Sequence, residues 1–131
     1  MPKLLSHLLL DPQWRAWRLR AALLLYLAIV IVGSVPGARA QIGTVASGLV
    51  LHSLAYASLA TLWFTGSTGS AGMRAIKTIA TIMAMGAGDE FVQSFFTYRH
   101  SDIHDWMVDV SAASVACALL TMLLPRHIAR R

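Results

Sequence analysis

Four long apolar stretches constrain this 131-residue chain more than any other feature of its sequence. The hydrocarbon core of a bilayer is about 30 Å thick, and a helix needs about 20 apolar residues to cross it. We predict membrane-spanning helices at residues 21–35, 44–64, 75–96 and 105–124. The expected fold is therefore all-α, an integral membrane four-helix bundle made by a single domain.

The first of these helices is expected to begin before its apolar part. Asp11 is a good N-cap residue, and Pro12 suits the first helical position. The basic leader, apolar core and small-residue sequence Ala38-Arg39-Ala40 also resemble a signal peptide with its cleavage site. Because roughly 20 residues precede the apolar core, which is long for a leader, a retained membrane span is the preferred interpretation.

The composition supports a membrane protein and argues against a soluble one. The chain is 56% hydrophobic and 13% charged, whereas a soluble domain carries roughly a quarter charged residues. Its positive charges lie beside apolar runs and form no stripe next to exposed aromatics, so we expect no nucleic-acid partner. The single cysteine, Cys117, lies in an apolar segment and can form no disulfide within the chain.

The positive charges predict an orientation in the membrane. If both termini are cytoplasmic, the outward loops carry only Arg39 and Arg99. The cytoplasmic segments then carry Lys3, Arg15, Arg18, Arg20, Arg74, Lys77, Arg126, Arg130 and Arg131. Because cytoplasmic loops are enriched in lysine and arginine, we expect a multi-pass protein of the bacterial inner (plasma) membrane with both termini cytoplasmic.

Ionisable residues gather near the predicted outward ends of the helices. Five of the six acidic residues fall between positions 89 and 109. At the rise of an α-helix, His52, Glu90 and Asp109 lie at a common depth, roughly 6–12 Å below the outer surface. A charge that faces lipid costs at least about 2.5–3.5 kcal/mol near the centre of a helix, so we expect these side chains to face inward.

The spacing within each predicted helix indicates one shared site. Residues three or four apart share a helix face, as do His52 and Tyr56, Asp105 and Asp109, and Glu90 and Gln93. Arg99 is expected in the loop at the mouth of the site. The predicted ligand-binding residues are His52, Tyr56, Glu90, Gln93, Arg99, Asp102, Asp105 and Asp109. Alternatively, these charges only neutralise one another and hold the helices together.

These residues resemble the pattern of the VanZ-like family of small membrane proteins. That family has a His followed four residues later by Tyr, and then Glu, Gln, Arg and Asp at characteristic spacings. Here the pattern reads His52–Tyr56, Glu90–Gln93, Arg99 and Asp105, within residues 51–115. The resemblance implies a link to tolerance of the glycopeptide teicoplanin.

Two departures from the family pattern make the predicted pocket more anionic. The family has an Asp-Lys pair just before the His, where this chain has Ser47, Gly48 and Leu49. The family also has Asn four residues after its Asp, and a Gly soon after that. This chain has Asp109 at the first position and Ala112 or Ala113 at the second.

Three classes of function fit the sequence. The first is a binding or protective protein that takes an envelope lipid, a lipid-linked precursor or a glycopeptide at the outer leaflet. In that case Arg99 and His52 face an anionic headgroup, and Glu90 and Asp105 orient them.

The second class is an intramembrane enzyme in which Glu90, Asp105 and Asp109 perform acid–base chemistry on an envelope lipid. The third is an accessory subunit of a larger membrane complex, in which the charges serve packing. The available metal ligands are His52, Glu90, Asp105, His100 and His104. The pair His100 and His104 has a helical metal-binding spacing, but it falls in a predicted loop, so no metal or other cofactor is expected.

Overall fold

A computed structural model describes residues 3–43, 47–98 and 102–124, and all regular structure in these ranges is helical. The all-α prediction is confirmed for this part of the chain. The α-helices are α1 (Lys3–Leu10), α2 (Arg15–Ser34), α3 (Ala38–Gly43), α4 (Gly48–Gly66), α5 (Ala71–Gln93) and α6 (Ile103–Leu123). A short 3-10 turn, Pro12–Trp14, leads directly into α2.

Three of the long helical segments are long and apolar enough to cross a membrane. They are Pro12–Ser34, Gly48–Gly66 and Ile103–Leu123. Helix α5 is the longest helix at 23 residues, but two basic residues near its start and two acidic residues near its end make it less apolar. The structure therefore supports a membrane protein with three apolar spans, and the span in α5 stays a prediction.

The start of α2 follows the predicted capping chemistry. Asp11 is the N-cap of the turn Pro12–Trp14, and its side chain accepts a hydrogen bond from Gln13 N at 3.0 Å. The next residue is Pro12. An N–H at the first helical position has no partner within the helix, and proline has no N–H, so nothing is lost by its presence there. The helical segment therefore begins well before the apolar stretch, as expected.

The other long helices begin at positions that polar caps define. Ser47 and Ser70 each accept a hydrogen bond from a backbone N–H three residues later, at 3.3 Å, at the starts of α4 and α5. Asp102 accepts from His104 N at 2.8 Å at the start of α6. As a result, the second predicted span begins at Gly48 instead of residue 44, and residues 44–46 lie outside the described part.

The long helices pack side by side around a small apolar core. Helix α4 packs against α2, α5 and α6, and α5 also packs against α2 and α6. Helices α4 and α6 run in the same direction, because residues near the start of each are in contact. The core residues are Ala22, Tyr56, Leu59, Ala60, Ile82 and Ala113.

A buried arginine holds one end of this assembly together. Arg18 is only 5% exposed, and its guanidinium donates to Leu8 O at 2.7 Å and to Asp11 O at 3.0 Å. It also donates to Thr65 O, near the end of α4, at 2.8 Å. The last carbonyls of a helix carry partial negative charge, which favours a cation there. Arg18 thus fastens the start of the chain to the end of α4.

Removing this side chain should loosen that end of the protein. Arg18→Ala leaves the carbonyl groups of Leu8, Asp11 and Thr65 without their charged donor. We therefore expect the free energy of unfolding to fall by about 1.5–3 kcal/mol. Thermal unfolding of the purified protein in mild detergent measures the effect. The matched control is Arg20→Ala, because Arg20 is exposed and lies over the Trp17 ring at 5.0 Å. Equal melting temperatures for the two variants would contradict this role of Arg18.

Candidate functional site

His52 lies between two aspartates near the start of α6. Its Nδ1 is 2.8 Å from Asp109 Oδ1, and its Nε2 is 3.9 Å from Asp105 Oδ2. The two acids are one helical turn apart and share a face of α6, as their spacing predicts. The first contact is a hydrogen bond, and the second is too long to be one.

Asp109 is the most enclosed acid of this group. Its side chain has no exposed surface, and in the described part of the chain its Oδ2 has no hydrogen-bond partner. An added Cβ on Gly86 of α5 would lie 3.4 Å from that oxygen and 3.0 Å from Trp106 Cδ1. The absence of a side chain at Gly86 thus lets α5 approach α6 closely over the carboxylate. His52 is consequently the main polar compensation for this buried group.

Tyr56 extends the polar group one turn further along α4. Its ring is parallel to that of His52, with 6.3 Å between centroids and 1° between planes. The side chain is fully buried, and its hydroxyl has no hydrogen-bond partner among the described residues. Buried tyrosine hydroxyls usually have a partner, so this hydroxyl is a candidate ligand contact.

A cavity of about 290 Å³ lies between α2, α4 and α5, and we call it the α2–α4–α5 cavity. Its apolar lining comes from α2 and α4: Ala28, Ile29, Val32, Gly33, Gly48, Leu51 and Ala55. Its polar lining consists of His52, Tyr56, Asp89 and Gln93. Mostly apolar walls with a few convergent polar groups are typical of ligand sites.

Glu90 and Gln93 contact different parts of the structure, although their spacing predicts a shared face. Glu90 Oε2 accepts a hydrogen bond from Asp102 N at 2.7 Å. This bond joins the end of α5 to the start of α6. Gln93 lines the α2–α4–α5 cavity together with Asp89, four residues earlier on α5. Glu90 therefore joins α5 to α6 and interacts electrostatically with Asp105, Asp89 and Asp109, while Asp89 and Gln93 line the cavity.

The structure thus places the predicted site residues in groups that overlap at His52. His52, Tyr56 and Gln93 line the cavity, and Asp105 and Asp109 lie beside His52 on α6. Asp102 caps α6 and also lies 2.9 Å from His104 Nδ1, with about half of its side chain exposed. Arg99 lies outside the described residues. Asp89 is the cavity residue that the sequence prediction missed, although its four-residue spacing from Gln93 could have revealed it.

The arrangement has the chemistry of an acceptor-rich pocket with one imidazole. Among the residues that the structure describes, no group of three His, Cys, Asp or Glu side chains could hold a metal ion. The hydrogen bond to Asp109 places one imidazole nitrogen against a carboxylate. The opposite nitrogen, Nε2, lies on the side of Asp105. Such a pair can orient an imidazole for hydrogen bonding or proton transfer.

Removing only one member of the buried His52–Asp109 pair should destabilise the protein strongly. His52→Leu leaves the buried Asp109 carboxylate without its imidazole partner, so we expect a loss of about 3–5 kcal/mol in unfolding free energy. The double variant His52→Leu/Asp109→Leu removes both polar groups and should recover part of this loss. Unfolding of the purified variants in mild detergent measures both effects.

The matched control for this comparison is His104→Leu. His104 also lies 2.9 Å from an aspartate, but its side chain is 82% exposed. Exposed ion pairs contribute about 0–1 kcal/mol, so this variant should unfold nearly like the original protein. A double variant less stable than His52→Leu alone would contradict the compensating role of His52.

Comparison with known proteins adds no assignment to this site. No family model matches the chain, and neither a curated protein nor a solved structure does.

Proposed function

We propose that the protein is a multi-pass protein of the bacterial plasma membrane whose four long helices form a membrane-spanning bundle. Three of these helices have the length and apolar composition of membrane spans. Helix α5 packs against all three of the others, and its 23 residues give it sufficient length. Its charged residues lie toward its two ends, which leaves an uncharged stretch from Thr78 to Gly88 in its middle.

Both termini of this bundle are proposed to be cytoplasmic. At one end, Arg18 contacts the end of α4, and Arg74 and Lys77 contact the α4–α5 loop, so three basic residues lie close together. At the other end, the ionisable residues of α4, α5 and α6 are acids and histidines, and the short helix α3 contains one arginine, Arg39. The positive-inside rule assigns the basic end to the cytoplasm. The α2–α4–α5 cavity then lies in the outward half.

Within this membrane frame, the protein binds an envelope lipid headgroup or another lipid-tailed ligand. The observation that carries this proposal is the two-sided chemistry of the α2–α4–α5 cavity. Its apolar wall suits a hydrocarbon chain, and its polar residues His52, Tyr56, Asp89 and Gln93 suit a headgroup. The resemblance to the VanZ-like family links such binding to glycopeptide tolerance of the teicoplanin type.

Acid–base catalysis on a bound headgroup is the second candidate, and the His52–Asp109 hydrogen bond favours it. A carboxylate that fixes one imidazole nitrogen can orient the other toward a substrate. Mass spectrometry of envelope lipids from cells with original protein or Asp109→Asn distinguishes the candidates. Catalysis requires a lipid species that differs between the two, whereas binding alone leaves the lipid profile unchanged.

The proposed orientation predicts which loops a membrane-impermeant reagent reaches. In a Cys117→Ser background, a cysteine at His104 should react with an impermeant maleimide in intact spheroplasts. A cysteine at Thr68, which is exposed in the α4–α5 loop, should react only after the membrane is opened. The opposite pattern would refute the orientation, and labelling of both positions in intact cells would refute the span in α5.

Filling the cavity should remove its ligand without disturbing the opposite face of α4. Ala55 lines the α2–α4–α5 cavity, whereas Ala57 lines a groove between α4 and α6. Because the Phe ring would occupy the space of the ligand, we expect Ala55→Phe to lower teicoplanin tolerance and the amount of lipid that copurifies. A tenfold reduction corresponds to a loss of about 1.4 kcal/mol in binding free energy. Ala57→Phe should have little effect. Equal tolerance and equal lipid retention in both variants, at equal membrane levels, would contradict the proposal.

A further inference from the structure

The polar lining of the α2–α4–α5 cavity is rich in acceptors. Within the described chain, the lining residues include one acid, Asp89, and neither lysine nor arginine. A second carboxylate lies directly behind the lining, because Asp109 bonds to His52 at 2.8 Å. An anionic group in this cavity would face both carboxylates at short range, and like charges in a poorly hydrated site repel strongly.

The buried hydroxyl of Tyr56 is an independent sign of a ligand. Tyr56 lines the cavity with no exposed surface, and its oxygen has no hydrogen-bond partner in the described part of the chain. A buried polar atom without a partner costs free energy that a bound group can recover. A ligand with hydrogen-bond donors satisfies this oxygen directly.

We propose that the α2–α4–α5 cavity binds a primary ammonium group carried on an apolar chain. An ammonium has three N–H donors and no acceptor. Three of the polar residues that line the cavity carry acceptors that can take these donors: Asp89 by its carboxylate, Gln93 by its side-chain carbonyl and Tyr56 by its oxygen. A carboxylate offers about four acceptor sites, so Asp89 can bind an ammonium in addition to its contacts within the protein.

The apolar lining and the size of the cavity fit the rest of such a ligand. The α2 side presents Ala28, Ile29 and Val32 to the chain that follows the amine. The volume of about 290 Å³ is near the lower end of the range of small-molecule sites, which begins at about 300 Å³. The cavity therefore takes the amine and the adjoining part of a longer chain that continues into the bilayer.

This inference rests on the proposed function, since it names the chemistry of the lipid-tailed ligand. Its test uses the full-length protein in nanodiscs of phosphatidylcholine. Two photoreactive single-chain lipids are compared: a long-chain primary alkylamine with a diazirine in its chain, and the same molecule with its amine acetylated. They share one apolar chain, and only the first has an ammonium group.

We expect the free amine to label α2 about tenfold more strongly than the acetylated lipid, as one charged hydrogen bond allows. Asp89→Asn should abolish this preference, and the matched control Asp102→Asn, which alters an exposed cap, should retain it. Dodecylamine should compete with the labelling of wild-type protein, and dodecanol should not. The competition needs no variant, so it remains decisive if Asp89→Asn fails to fold.

The outcomes separate the inference from the proposal beneath it. If both lipids label α2 equally and Ala55→Phe blocks both, the cavity binds lipid but does not select an ammonium, and the inference is overturned. Preference for the acetylated lipid overturns it as well. If Ala55→Phe blocks neither lipid, the cavity is not a lipid site, and the proposed function fails with it. Equal competition by dodecylamine and dodecanol also counts against ammonium selection.

Discussion

Asp109 is fully buried on α6, and His52 on α4 is its hydrogen-bond partner at 2.8 Å. A buried carboxylate is costly unless it is paired, so this contact constrains both helices. Rotating either helix by one residue, about 100°, would carry its polar side chain away from the other. The same contact positions Tyr56, one turn after His52 on α4, and Asp105, one turn before Asp109 on α6. The polar side of the cavity therefore depends on how α4 meets α6.

The two ends of the helical assembly satisfy their charges in complementary ways. At one end, Arg18 and Arg74 donate to backbone carbonyls at or beyond the end of α4. At the other end, Asp102 and Glu90 accept from backbone N–H groups at the start of α6. Cations thus lie near carbonyl groups that have no hydrogen-bond partner within their helix, and acids lie near N–H groups that have none within theirs. The same charge separation that supports the proposed orientation also stabilises the helix ends.

Much of the helical framework could be predicted from the sequence, because apolar length and capping chemistry are local properties. The cap at Asp11 and the early start of the first span follow from two adjacent residues. Helix ends were less predictable: α5 covers Ala71–Gln93 instead of 75–96. The serine at position 70 provides a cap, and apolar composition alone does not mark where a helix that carries charge begins or ends.

The site was harder to predict than the framework, because helix faces are ambiguous at short spacing. Gln93 is about 60° around the helix from Glu90 and about 40° from Asp89, so spacing alone allows either pairing. The contacts with other helices show which residues act together: Glu90 accepts a hydrogen bond from Asp102 N, and Asp89 lines the cavity with Gln93. By contrast, His52, Asp105 and Asp109 were expected to share one site, and these three side chains lie together. His52 and Asp109 are each only a few residues from the start of their helix, and α4 and α6 run in the same direction, so the two residues meet. Their depth in the membrane stays a prediction.

His52 belongs both to the packing of the helices and to the lining of the cavity. On one side it compensates the buried Asp109, and on the other it borders the cavity that we propose as a ligand site. A charged ligand in that cavity would change the electrostatic field at the imidazole, and the imidazole would change the field at the carboxylate. Such coupling is reciprocal. If a ligand strengthens the His52–Asp109 contact, then closer packing of α4 against α6 strengthens the binding of that ligand to the same extent.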